Sequence, residues 1–133
     1  MAFLAFDYGR RRIGVAVGEP LTGSARGLVT LAGGSPPPWP RIDALVAEWR
    51  PEGFVVGWPT QADGQATPLG PAIREFGAAL EARFGKPVYW SDERLSSHLA
   101  RDRSRPGRND PGLDAHAAAV ILEGWFLENA HDA

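Results

Sequence analysis

Phe3-Leu4-Ala5-Phe6-Asp7-Tyr8-Gly9-Arg10-Arg11-Arg12-Ile13-Gly14-Val15-Ala16-Val17 sets two apolar runs on either side of a basic turn. Phe3 to Asp7 is apolar at consecutive positions until its last residue, the pattern of a strand buried on both faces. Tyr8 to Arg12 reads as a turn and Ile13 to Val17 as a second strand, so the stretch predicts a hairpin. A third strand is expected near Arg26 to Leu31. Gly33 to Pro40, with Pro36, Pro37, Pro38 and Pro40, reads as a stiff loop.

Beyond that loop the period changes. Ile42, Leu45, Val46 and Trp49 fall at helical spacing and are stopped by Pro51. Phe54 to Trp58 is a short buried strand. Thr60 to Pro68 is a polar loop, in which Asp63-Gly64 reads as turn chemistry. Ile73, Phe76, Leu80 and Phe84 mark a second helix closed by Gly85, and Val88 to Trp90 a fifth strand. Leu95 to Ala100 reads as a short helix before an Arg-rich loop. Asp110-Pro111 then supplies a cap and a first residue for a last helix that runs to about Asn129. The order β-β-β-α-β-α-β-α-α predicts an α/β architecture with a mixed sheet.

At 133 residues and 14.3 kDa the chain predicts one domain, spanning residues 1–133. With no cysteine, disulfides, thiolate zinc sites and thiol nucleophiles are excluded together, which is compatible with a cytoplasmic setting. Met1 to Phe6 lacks the basic and long apolar regions of a signal peptide. No run reaches the roughly 18 apolar residues of a membrane span. A net charge of −2 and a pI near 5.9 argue against non-specific coating of nucleic acid.

Three acidic positions stand out. Asp7 ends the first apolar run, Asp92-Glu93 follows the fifth strand, and Asp114 opens the last helix. In an open α/β sheet, sites form at the carboxyl ends of strands. On the last helix Asp114, Ala118, Ile121 and Trp125 share one face, so the acid is expected on the apolar side. Carboxylates from separate segments that meet repel one another, and a divalent cation relieves that repulsion. Each acid also has a structural reading: Asp7 as a turn acceptor, Asp92 or Glu93 as a partner of Arg94, Asp114 as a complement to the helix dipole.

The basic residues are unevenly placed. Of 14, all but Lys86 are Arg, and eight of these form two clusters: Arg10, Arg11 and Arg12, then Arg94, Arg101, Arg103, Arg105 and Arg108. Guanidinium groups bind phosphate through a planar fork. A coding bias accounts for the Arg-to-Lys ratio but not for clustering beside the acids. His98, His116 and His131 have no zinc spacing, and no Walker-type phosphate loop is present.

FDYGRRRIGVAVGEP, EWRPEGFVVGWPT, SDERLSS and LDAHAAAVILEGWF together resemble the YqgF/RuvX family of ribonuclease H-like nucleases, over Phe3 to Leu127. The resemblance implies a ribonuclease H-like fold with a five-stranded mixed sheet. It also implies an acidic two-metal site for Mg²⁺ or Mn²⁺ and cleavage of phosphodiesters in structured RNA, with branched DNA as the alternative. Asp7, Glu93 (with Asp92 beside it) and Asp114 match the family's acids. The Arg clusters would grip nucleic-acid backbone. A monomer or weak homodimer is expected, and junction resolution would require the dimer. The chain departs from the family's usual pattern at Gly57-Trp58-Pro59 and in the loop Arg101 to Gly112, where Arg103, Arg105 and Arg108 replace a Lys-rich segment. Two other readings stay open: a nucleotide-binding fragment of the actin/Hsp70 ATPase type, and a non-catalytic ribosome-assembly factor.

Overall fold

The structure, a computed structural model, describes residues 1–9, 11–34, 36–58, 70–92 and 111–129. Five strands form one sheet in the order β3-β2-β1-β4-β5, where β1 is Phe3–Tyr8, β2 Arg12–Glu19, β3 Ser24–Ala32, β4 Gly53–Trp58 and β5 Val88–Asp92. The β1–β2 and β2–β3 pairs are antiparallel, and β1–β4 and β4–β5 are parallel. The expected five-stranded mixed sheet is therefore present, with the first apolar run at its centre. Helix α1 is Trp39–Trp49, α2 Gly70–Phe84 and α3 Pro111–Glu128. The short helix expected at Leu95 to Ala100 lies outside the described residues, as do Asp63-Gly64, His98 and His131.

Strand alternation divides the core into two layers. Leu4, Phe6, Ile13, Val15, Phe54 and Val56 face Ile42 of α1 and Ile73, Phe76 and Leu80 of α2. Ala5, Ala16 and Val55 face Ala118, Ala119, Ile121, Leu122 and Phe126 of α3. Leu4, Ala5 and Phe6 are completely buried, which is why the run is apolar at consecutive positions. The two layers differ in grain. Residues facing α1 and α2 are large, whereas the row Gly27, Ala16, Ala5, aligned across β3, β2 and β1, is nearly bare. The small row lets α3 approach closely: a Cβ at Gly27 would lie 2.9 Å from the Ala115 carbonyl oxygen.

The helix ends follow local chemistry. Pro38 to Pro40 is not wholly loop, because α1 begins at Trp39 and Pro40 occupies its first turn. A proline is tolerated there, since that N–H has no intrahelical partner. Arg50 closes α1 in the left-handed conformation (φ 46°), its N–H donating to the Val46 carbonyl at 2.8 Å. Gly85, at φ 65°, closes α2 where the sequence placed its stop. The two helices are joined by Arg83, whose Nε and Nη2 donate to Asp43 Oδ1 and Oδ2, each at 2.7 Å. Among the described residues no helix is long and apolar enough to cross a membrane.

Candidate active site

Asp7 is half-buried near the carboxyl end of the central strand, on the α3 side of the sheet with Phe3 and Ala5. It pairs with Gly14 on β2, and Gly14 pairs with Thr30 on β3. On the other flank, β1 and β4 run in register to Phe6 and Val56, so the next position sets Asp7 beside Gly57. Gly57 in turn pairs with Ser91. The row is thus Thr30, Gly14, Asp7, Gly57, Ser91. The residues directly beside Asp7 on both adjacent strands are thus glycines, both buried, while Arg12, two residues before Gly14, lies on the same side of β2. Ser91, 3% exposed, is the buried polar side chain of the described core.

Helix α3 runs antiparallel to β1. Ala115 lies over Gly27, in the row of Ala5. Leu122 lies over Gly18, which pairs with Phe3, and Trp125 and Phe126 pack on the Phe3 ring at centroid distances of 5.4 and 6.1 Å. Its first turn, which contains Asp114, therefore extends from Ala115 towards the row of Asp7. The helix is more deeply enclosed than one apolar face requires, with Ala118 to Leu122 all buried. His116 is half-buried, and its Nε2 has no hydrogen-bond partner among the described residues.

Asp92 closes β5 in register with Trp58. That row belongs to the α1–α2 side, where Trp58 meets Trp90 edge-on at 5.6 Å and Arg74 lies 5.4 Å over the Trp58 ring. Two strand spacings, each about 4.8 Å, separate β5 from β1. The structure thus brings the backbone of Asp7, the end of β5 and the first turn of α3 to one edge of the sheet. Glu93, Arg10, Arg94, Arg101, Arg103, Arg105 and Arg108 lie outside the described residues. Only the backbone is described for Asp92 and Asp114. Of the first Arg cluster, Arg11 is exposed and Arg12 half-buried at the start of β2. Among the described residues no group of three His, Cys, Asp or Glu side chains is positioned to hold a metal.

The sequence alone assigned no site role to Gly14, Gly57, Thr30 and Ser91. Two signals were available: glycine inside a strand marks a close backbone approach, and a serine inside an apolar run needs a polar partner.

Compared with known proteins, residues 1–128 match the family model RuvX, described as Holliday junction resolvase. The chain belongs to the RuvX family. A relative from Pseudomonas paraeruginosa (strain DSM 24068 / PA7), named "Putative pre-16S rRNA nuclease", is 43% identical over 95% of this chain and 92% of its own length. A relative of the same name from Ralstonia pickettii (strain 12J) is 47% identical over 96% of this chain and 87% of its own. Among solved structures, T. thermophilus RuvC in complex with Holliday junction substrate superposes with a TM-score of 0.62. It is 20% identical and covers 98% of this RuvX-family chain and 96% of its own. At that identity the likeness shows the fold, a ribonuclease H-like sheet, and nothing about the substrate.

Proposed function

We propose that this RuvX-family chain is a divalent-metal-dependent nuclease of the cytoplasm. It hydrolyses phosphodiester bonds in structured RNA, in the processing of ribosomal RNA precursors. The observation that carries the reading is the row of Asp7: a half-buried carboxylate set between Gly14 and Gly57, at the edge towards which the first turn of α3 extends.

Asp7, Glu93 and Asp114 would hold the metal. The donor chemistry fits magnesium or manganese, because all three are hard carboxylate oxygens and neither thiolate nor imidazole is among them. Bound there, the ions would supply the charge that activates water and steadies the leaving oxygen. The backbone of Asp92 pairs with Trp58, one row beyond that of Asp7, and Glu93 beside it is the acid that the family resemblance implies at the end of β5. Arg10, Arg11, Arg12, Arg94, Arg103, Arg105 and Arg108 all lie within ten residues of one of these acids along the chain. They would hold phosphates flanking the cut.

The reading is tested by digesting single-stranded RNA, duplex RNA and a four-way DNA junction side by side, in Mg²⁺, Mn²⁺ and EDTA. Wild type should cut RNA with metal only, and Asp7→Asn and Asp114→Asn should lose the activity. Undiminished cleavage by Asp7→Asn would falsify the assignment. The family description favours one alternative, resolution of branched DNA. Preferential, paired cutting of the junction, with a dimer in sedimentation, would establish that instead. Tight RNA binding in EDTA with no turnover in any metal would leave a non-catalytic assembly factor.

A further inference from the structure

At the same carboxyl edge, but on the opposite side of the sheet from Asp7, Tyr8, Trp39 and Phe76 wall a cleft of about 600 Å³. Trp39 stacks on Phe76 at 5.7 Å and 18°, and the Tyr8 ring lies 4.9 Å from Phe76. Phe76 is buried, whereas Tyr8 and Trp39 are half-buried, and the Arg83 guanidinium lies 5.1 Å from the centroid of the Trp39 ring. Pro37 and, from α2, Ala79 and the exposed Glu75 complete the part of the lining used below. Among the described lining residues, Glu75 carries the only charge.

The lining selects its occupant. The volume falls within the roughly 300–1,000 Å³ of small-molecule sites. The carboxylate of Glu75 disfavours a phosphate in this mainly apolar lining, and the nearby Arg83 is already paired with Asp43. A nucleobase has what the cleft lacks: a flat face to lie on aromatic rings, and N–H donors on its edge for a carboxylate. Guanine offers two adjacent donors, N1–H and the exocyclic N2–H, which match the two oxygens of one carboxylate. Position supplies the link to the cut. Tyr8 follows Asp7 directly, and consecutive strand residues face opposite sides of the sheet with Cα atoms about 3.8 Å apart. A strand cut at Asp7 would enter the cleft, on the other side of the sheet, by turning a base out of its helix.

We propose that this cleft receives one unpaired base, guanine by preference, of the nucleic acid cleaved at the Asp7 row. The proposal rests on the nuclease reading above, and it adds a rule for where that nuclease cuts: beside a bulged or looped-out nucleotide.

The test uses the full chain in Mn²⁺ on RNA hairpins that differ in a single bulged position beside the cut, filled by guanine, adenine, uracil or an abasic residue. Wild type should prefer guanine to the abasic hairpin in kcat/KM by roughly tenfold or more, mainly through KM. Glu75→Gln should remove the preference for guanine over adenine. Ala79→Trp, which fills the cleft, should remove the preference for any base over none. A second measurement does not need turnover: a fluorescent adenine analogue in the bulge should be quenched on binding Asp7→Asn, and not on binding Asp7→Asn with Ala79→Trp. If Asp7→Asn cleaves as wild type does, the nuclease reading falls and the quenching still decides the cleft. Unaltered base preference in both cleft variants overturns the proposal while leaving the nuclease standing. Tight binding of free guanosine monophosphate, with kcat/KM indifferent to the bulged base, also overturns it.

Discussion

Replacing Gly27 by alanine should damage the site from a distance. The added Cβ would lie 2.9 Å from the Ala115 carbonyl oxygen and 3.0 Å from both its carbonyl carbon and its Cβ. Comfortable carbon contacts begin at about 3.5 Å, so α3 must lift by about 0.5 Å or more at Ala115. The atoms met are mostly helix backbone, which cannot rotate aside as a side chain can. Overpacking of this kind costs about 1–3 kcal/mol, offset by up to about 1 kcal/mol because alanine suits a strand better than glycine. Ala115 is the next residue after Asp114, so the lift also moves a proposed metal ligand. A misplacement of about 1 Å can cost on the order of 100-fold in rate, and half that shift predicts a loss of about tenfold. Urea denaturation gives the first quantity. Initial cleavage rates, taken where the variant is fully folded, give the second. Gly23→Ala is the control: its φ of 71° is strained for alanine, but nothing lies within 4 Å of the added carbon. It should lower stability by about 1 kcal/mol and leave the rate alone. Wild-type cleavage by folded Gly27→Ala would refute the idea that this close approach seats the first turn of α3.

Neutralising Arg103, Arg105 and Arg108 together should weaken substrate binding. The salt dependence should flatten by about 0.7 in slope for each single-strand phosphate that the variant no longer neutralises, with turnover changed far less than by Asp7→Asn. An unchanged slope would make that loop a solvated connector. Hydrogen bonds from Arg83 hold the Asp43 carboxyl below its ordinary range, against some desolvation and with help from Coulombic attraction. A carboxylate depressed in the folded state stabilises above its unfolded value, and that contribution is lost as pH falls through the folded one. Thermal melts should therefore show a loss below about pH 5 that is shallower in Asp43→Asn. Arg50→Gly relieves a left-handed residue at the end of α1 and should raise the unfolding free energy by about 0.5–1 kcal/mol; a lower denaturation midpoint would contradict this.

Much of the fold was legible because its signals are local. The run Phe3 to Phe6 announces a central strand, the spacing of Ile42 to Trp49 and Ile73 to Phe84 announces two helices, and Gly85 marks an end. The Arg83–Asp43 bridge was not legible, because 40 residues separate the partners and neither stands in a distinctive pattern. Pro40 misled for a related reason: proline breaks a helix everywhere except the first turn, and only the structure shows where that turn falls. At the site, Asp7 could be read from its place at the end of an apolar run. The glycines that flank it could not, because their role comes from register between strands rather than from order along the chain. The pairing of Asp92 with Trp58 was likewise hidden, because it too comes from strand register.

The sheet joins two halves of unlike connectivity, and β1 is the seam. On one side β1, β2 and β3 follow one another through short antiparallel turns; on the other, β4 and β5 reach their places only through crossovers containing α1 and α2. Pairings between residues near in sequence close with less loss of chain entropy than distant ones, so the three-stranded meander has the faster route to assembly. A chain that has reached only that stage already holds Asp7 in a strand. It still lacks β5 and the helix that carries Asp114. On the proposed assignment a molecule that holds only the meander therefore lacks the acids that follow β5 and open α3, and it should not cut surrounding nucleic acid.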